Sequence, residues 1–117
     1  MNSLSIATIV ALISQGQRYL GSLLALLGTV HSFMLDGGLT IPEVIHALQY
    51  LDPLIRTLHI VLQTMPYFIS FLQGVGFEAY ADEAIVLLTD LTNAYNNFID
   101  LTRDLRAILH DLQQQPN

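Results

Sequence analysis

"LLTDLTNAYNNFIDLTRDLRAILHDL", residues 87–112, decides the fold class. Leu87, Leu91, Ala94, Phe98, Leu101, Leu105, Ile108 and Leu112 alternate by four and three, the spacing of one apolar face on a helix. Leu88, Tyr95 and Leu109 widen that seam on one side. Three apolar positions per heptad suit the core of a bundle better than a lone two-stranded coil. Asp90, Asp100, Arg103, Asp104 and Arg106 fall off the seam, as a solvated face should. The helix is expected over residues 78–114, ahead of a glutamine-rich tail.

Upstream, the periodicity stays helical and the punctuation divides it. "GVG" at 74–76 closes the preceding helix. "LDPLI" at 51–55 reads as a restart, with Asp52 as N-cap and Pro53 in the first helical position. That gives a short helix over 41–51 and a medium one over 53–73, kinked at Pro66. A long first helix is expected over 3–33, with Ser3 as N-cap and His31 near its C-terminal end. Gly16, Gly21 and Gly28 weaken it, so packing must hold it. The expectation is therefore one all-α domain, a small bundle of about four helices (long, short, medium, long).

Composition narrows what such a bundle can do. Of 117 residues 52% are hydrophobic and only 12% charged, about half the usual charged share of roughly 25%. A domain this small has too little interior for that apolar content, so packing into an oligomer or a larger assembly is expected. Small residues on the first helix (Ala11, Ser14, Gly21, Ala25 and Gly28) would let a neighbouring helix come close. Gly21 and Gly28 are taken as contact positions, beside Leu87, Leu91, Phe98, Leu101, Leu105 and Leu112 of the last helix.

The only basic residues are Arg18, Arg56, Arg103 and Arg106. Without lysine there is no Schiff-base chemistry and no Gly-Lys-Ser/Thr phosphate loop. A net charge of −6 with no basic cluster excludes nucleic acid as an expected partner and disfavours docking on anionic lipid heads. Without cysteine there is no disulfide frame, thiolate metal site or cysteine nucleophile.

Membrane insertion is the rival expectation, because residues 1–77 hold only Arg18, Asp36, Glu43, Asp52 and Arg56 as charges. The window at 19–35 is at the lower length limit for a span, and that at 57–77 carries His59, Gln63, Pro66 and Gln73. Both helices also keep a polar stripe. Thr8, Gln15, Arg18, Ser22, Thr29 and Ser32 recur with Ala11 and Ala25 on one edge, and Arg56, Gln63, Tyr67, Ser70 and Gly74 on another. A bundle helix touching water along one edge needs such a stripe, and a spanning helix does not. "MNSLSIATIVALIS" lacks the leading positive charge and cleavage site of an export signal and is read as mature sequence. The expected location is cytoplasmic or peripheral to a membrane.

"SFMLDGGLTIPE", residues 32–43, resembles the second half of an EF-hand calcium loop, with Gly37 at the sharp turn and Glu43 closing. Asp36 supplies one early ligand, but Ser32 and Met34 occupy the others, and a thioether serves a hard cation poorly. A plain turn explains the same residues: Gly37 and Gly38 for a left-handed exit, Thr40 with Glu43 as a capping box, Pro42 in the first turn. Glu43 and His46 also make one Glu-x-x-His, where a di-metal bundle needs two plus further acids such as Glu83 or Asp90. Asp36, Glu43 and His46 are thus weak metal candidates, and no metal or cofactor is expected. His59 and His110 are expected to be half-buried, and Asp100 with Asp104 to belong to a charged face beside Arg103. No catalytic residues converge. The expected function is a non-enzymatic structural or interaction protein that pairs with itself or another helical protein. The alternative is a membrane-associated or carrier module for a lipid, pigment or other hydrophobic ligand.

Overall fold

A computed structural model describes residues 5–115 as three helices: α1 (Ile6–Leu35), α2 (Ile41–Gly74) and α3 (Glu78–Gln114). The described residues are all-helical, with three helices rather than four. The expected break at Asp52–Pro53 does not occur, because α2 runs unbroken through Pro53 and Pro66. Its apolar period explains why. Val44, Leu48, Leu51, Ile55, Leu58, Leu62, Met65, Ile69 and Leu72 keep an unbroken four–three alternation across both prolines. Leu51, Ile55 and Leu58 are all buried, and full burial of such a side chain is worth about 1.5–3 kcal/mol each. Their sum outweighs the roughly 3 kcal/mol an interior proline costs. Both prolines lie on the exposed side of α2, where water can reach the carbonyl each leaves unpaired. Asp52 caps nothing; its carboxylate instead accepts a 2.7 Å hydrogen bond from Arg106 of α3.

α1 starts at Ser5, whose hydroxyl oxygen accepts the Thr8 N–H at 3.1 Å. Ser3, the cap expected from sequence, lies outside the described residues. α1 ends on Gly37 and Gly38, both left-handed (φ 72° and 66°). The capping box forms as expected. Thr40 Oγ1 accepts the Glu43 N–H at 3.4 Å, and Glu43 Oε1 accepts the Thr40 N–H at 3.0 Å and its hydroxyl at 2.8 Å. α2 closes through Gly76 (φ 87°). The Phe77 N–H reaches the Leu72 carbonyl at 2.8 Å and the Gly76 N–H that of Gln73 at 3.3 Å, a Schellman turn. The Phe77 ring packs in the cluster that contains Leu72, the apolar contact that goes with such a turn.

Two short turns between three long helices give an up–down–up rod with extents of 67 × 20 × 19 Å. Its radius of gyration is 18.4 Å, against about 13 Å for a compact domain of this length. α3 is the shared partner and packs against both α1 and α2. Among the described residues, no Cα of α1 comes within 8 Å of a Cα of α2. Leu87, Leu91, Phe98, Leu101 and Leu105 are buried along α3, and Leu112 is half-buried near its end. The residues off the seam, from Asp90 to Arg106, are exposed, as are both polar stripes of α1 and α2. No described helix is long and apolar enough to cross a membrane.

Gly21 and Gly28 do not mediate a helix contact within the chain. A Cβ built on either meets nothing within 4 Å. The seam of α1 passes through Ile9, Ile13, Gly16, Leu20, Leu23 and Leu27, and Gly21 and Gly28 each follow a seam residue, about 100° around the helix. The close approach belongs to Gly16, where a Cβ would stand 2.5 Å from a methyl of Leu87. Gly21→Ala and Gly28→Ala should therefore each stabilise the chain by about 0.5–1 kcal/mol through helix propensity. Gly16→Val should overpack the Leu87 contact and cost roughly 1–3 kcal/mol. Thermal melts of the three variants check this. A Gly16→Val melt as high as that of Gly21→Ala would remove the contact from the account.

Candidate functional site

Because α1 and α2 stand apart over α3, a hollow of about 310 Å³ opens between them. It lies where small residues, Gly16 on α1 and Ala84 on α3, face one another across the two helices. Leu12, Ile13 and Tyr19 of α1 form one wall, and Val61, Thr64, Met65 and Phe68 of α2 the other. Leu87 and Leu91 of α3 complete the floor. The polar groups in this lining are the hydroxyls of Tyr19 and Thr64. Thr64 donates to the Ile60 and Val61 carbonyls at 3.1 and 3.0 Å, which leaves its oxygen able only to accept. Burial pushes the Tyr19 phenol above its ordinary value, so it stays a neutral donor and acceptor.

Beside the hollow, the outer side of α2 presents a ridge. Ile60, Thr64, Tyr67 and Phe71 succeed one another by four and three, so they share one face. Ile60 is 59% exposed, Tyr67 79% and Phe71 42%. Leu12, on the opposite lip, is 44% exposed. Residues 57–77 carry no Asp, Glu, Lys or Arg, and α1 carries only Arg18. α3 holds Glu78, Asp82, Glu83, Asp90, Asp100, Asp104 and Asp111, seven of the ten acidic residues in the chain. Most of the acidic charge thus lies on α3, whereas α1 and residues 57–77 of α2 carry only Arg18 and mix these apolar side chains with the exposed polar stripes.

The other sequence candidates do not assemble. Asp36 is the C-cap of α1, Glu43 is held in the capping box, and His46 is exposed on α2. Among the described residues, no group of three or more His, Asp or Glu side chains is placed to hold a metal ion. Arg103 lies 3.2 Å from Asp100 and 4.0 Å from Asp104, all well exposed, which makes them an ordinary charged face. His59 and His110 are exposed rather than half-buried. His59 follows the buried Leu58 by one position and so turns off the core, where its ring lies against Tyr95 with centroids 5.7 Å apart. A second cleft, lined by His31, Asn97, Asp100 and Asp104, shares its acids with that charged face. Sequence reasoning missed the hollow itself. No protein-family profile, curated protein or solved structure matches the chain.

Proposed function

We propose that this chain is a non-enzymatic interaction module, cytoplasmic or peripheral to a membrane, whose apolar α1–α2 side is covered by another helical protein surface. The observation that carries this reading is the division of the rod. A hollow and a ridge of exposed aliphatic and aromatic side chains lie between and along α1 and α2, and seven of the ten acidic residues lie on α3. Apolar patches of this kind on a small protein mark interaction surfaces. The hollow offers two hydroxyls and no charged group, so neither hydroxyl has a base beside it to activate it. Light scattering at micromolar concentration without detergent tests the reading. The expected particle exceeds the 13.0 kDa chain mass. A monodisperse particle at that mass would overturn it.

A second reading is favoured by the volume of the hollow, which falls at the lower end of the range for small-molecule sites. In that reading the chain carries a lipid, pigment or other apolar molecule with its polar end at Tyr19. Solvent extraction of purified protein would then release such a molecule in near-equal amount to the chain.

A further inference from the structure

We infer that the occupant of the hollow is the aromatic ridge of a second copy of this chain, packed face to face about a two-fold axis. The inference rests on the interaction reading above and names its partner. A two-fold interface must be self-complementary, because the same patch serves both subunits. Here the concave and convex parts lie side by side on one face. Tyr67 and Phe71 project beside the hollow that Leu12, Gly16 and Phe68 line. Each copy then offers a ridge to the hollow of the other, and both contacts form at once.

Charge selects this face over the alternatives. Two copies meeting through α3 would bring together two helices that each carry seven acidic residues against only Arg103 and Arg106. Meeting through α1 and α2, they hold those acidic helices on opposite surfaces of a particle built from two rods each about 20 Å thick. That separation exceeds the Debye length of about 8 Å at physiological salt, so the repulsion is screened.

Area agrees. The chain exposes 7491 Å², against roughly 6300 Å² for a compact monomer of its mass. The excess, roughly 1200 Å², follows from the elongated rod and leaves ample surface for the ~800 Å² each partner hides in a standard interface. A neutral lipid surface would meet the same apolar side but would leave the hollow without a matching protrusion, so the second copy is the better fit.

Sedimentation equilibrium of the full chain, without detergent, tests the inference on wild type, Tyr67→Asp and Val86→Asp. Tyr67 and Val86 are both well exposed, so neither change removes a core contact. Wild type should sediment at twice the 13.0 kDa chain mass. Tyr67→Asp should raise the dimer dissociation constant about 30-fold or more, the size of an interface hot spot. Circular dichroism should show its helix content unchanged. Val86→Asp, on α3, should leave the constant within about threefold of wild type, as a site outside the interface does. The chain lacks cysteine, so mixing Leu12→Cys with Tyr67→Cys chains gives an independent readout: under mild oxidation the two should join in a mixed disulfide. An assembly that survives Tyr67→Asp intact, with no mixed disulfide, overturns the two-fold hollow-and-ridge contact while the interaction reading stands. A wild-type monomer of chain mass overturns both. A monomer that floats with phosphatidylcholine vesicles overturns the inference in favour of a lipid surface.

Discussion

Replacing Phe98 by alanine is expected to cost roughly 3–5 kcal/mol, the range for emptying a large aromatic site in a core. Phe98 is 0% exposed and belongs to the larger of the two apolar clusters, with Leu58 of α2 and Leu23 of α1. The lost ring leaves partners from three helices facing a void that rigid neighbours can fill only in part. A domain of this size has a total margin of about 5–15 kcal/mol, so the change removes a large share of it. At about 4 °C per kcal/mol, the midpoint of thermal unfolding should fall by about 12–20 °C. Asp100→Ala, two residues along, should move it by less than about 0.5 kcal/mol. Its ion pair with Arg103 is exposed at both ends, and such pairs contribute little. Because Phe98 is buried within the single chain, its loss should unfold the protein without first releasing copies from one another. Melts followed by circular dichroism, with mass recorded in parallel, measure both effects. Equal shifts at the two positions would mean the buried face of α3 is misassigned.

The second large effect runs the other way. Pro53→Ala should stabilise the chain by up to about 3 kcal/mol, the difference between proline and alanine inside a helix. Pro53 has no N–H to offer the Gln49 carbonyl, and its ring crowds that oxygen. Alanine restores the bond at a position exposed to water, where the smaller side chain vacates no core space. The neighbouring Asp52–Arg106 pair does not reverse the sign. Both partners are more than a third exposed, and an exposed pair is worth about 0–1 kcal/mol even if the straightened helix loses it. Were residue 53 instead the first position of a separate helix, proline would be favourable there and alanine neutral or worse. The direction of the melting shift therefore distinguishes one continuous α2 from two helices.

That variant bears on how much of the fold could be read from the chain. The seam of α3, the turn at Gly37–Gly38 and the Thr40–Glu43 box were legible because each is a local pattern with a local physical cause. At Asp52–Pro53 a strong local breaker competes with a period that nine apolar residues keep, and α2 runs on through it. The breaker acts through one hydrogen bond and one steric contact, whereas the period acts through burial along the whole face, and burial wins. Gly21 and Gly28 fall off the seam that Gly16 occupies, so no close contact within the chain uses them. The hollow could not be read at all. It depends on Gly16 and Ala84, on different helices, arriving at the same height along the rod, and that alignment is set by the lengths of two turns.

Since α1 and α2 each approach α3 more closely than they approach one another, the three helices do not share one fate when the chain opens. α2 and α3 are neighbours in sequence, joined across Val75–Phe77, and can zip together at small loop-closure cost. α1 must find α3 across the whole of α2. It also has fewer fully buried residues to hold it there: Ile9, Ile13 and Leu23. α1 is therefore a hinged arm on a persistent two-helix hairpin, and its amide protons should exchange through partial openings that leave the α2–α3 ladder protected. Each such opening lifts one wall of the hollow away and lays its floor bare. The width of the hollow is thus set by the position of a whole helix, with no lid or loop involved.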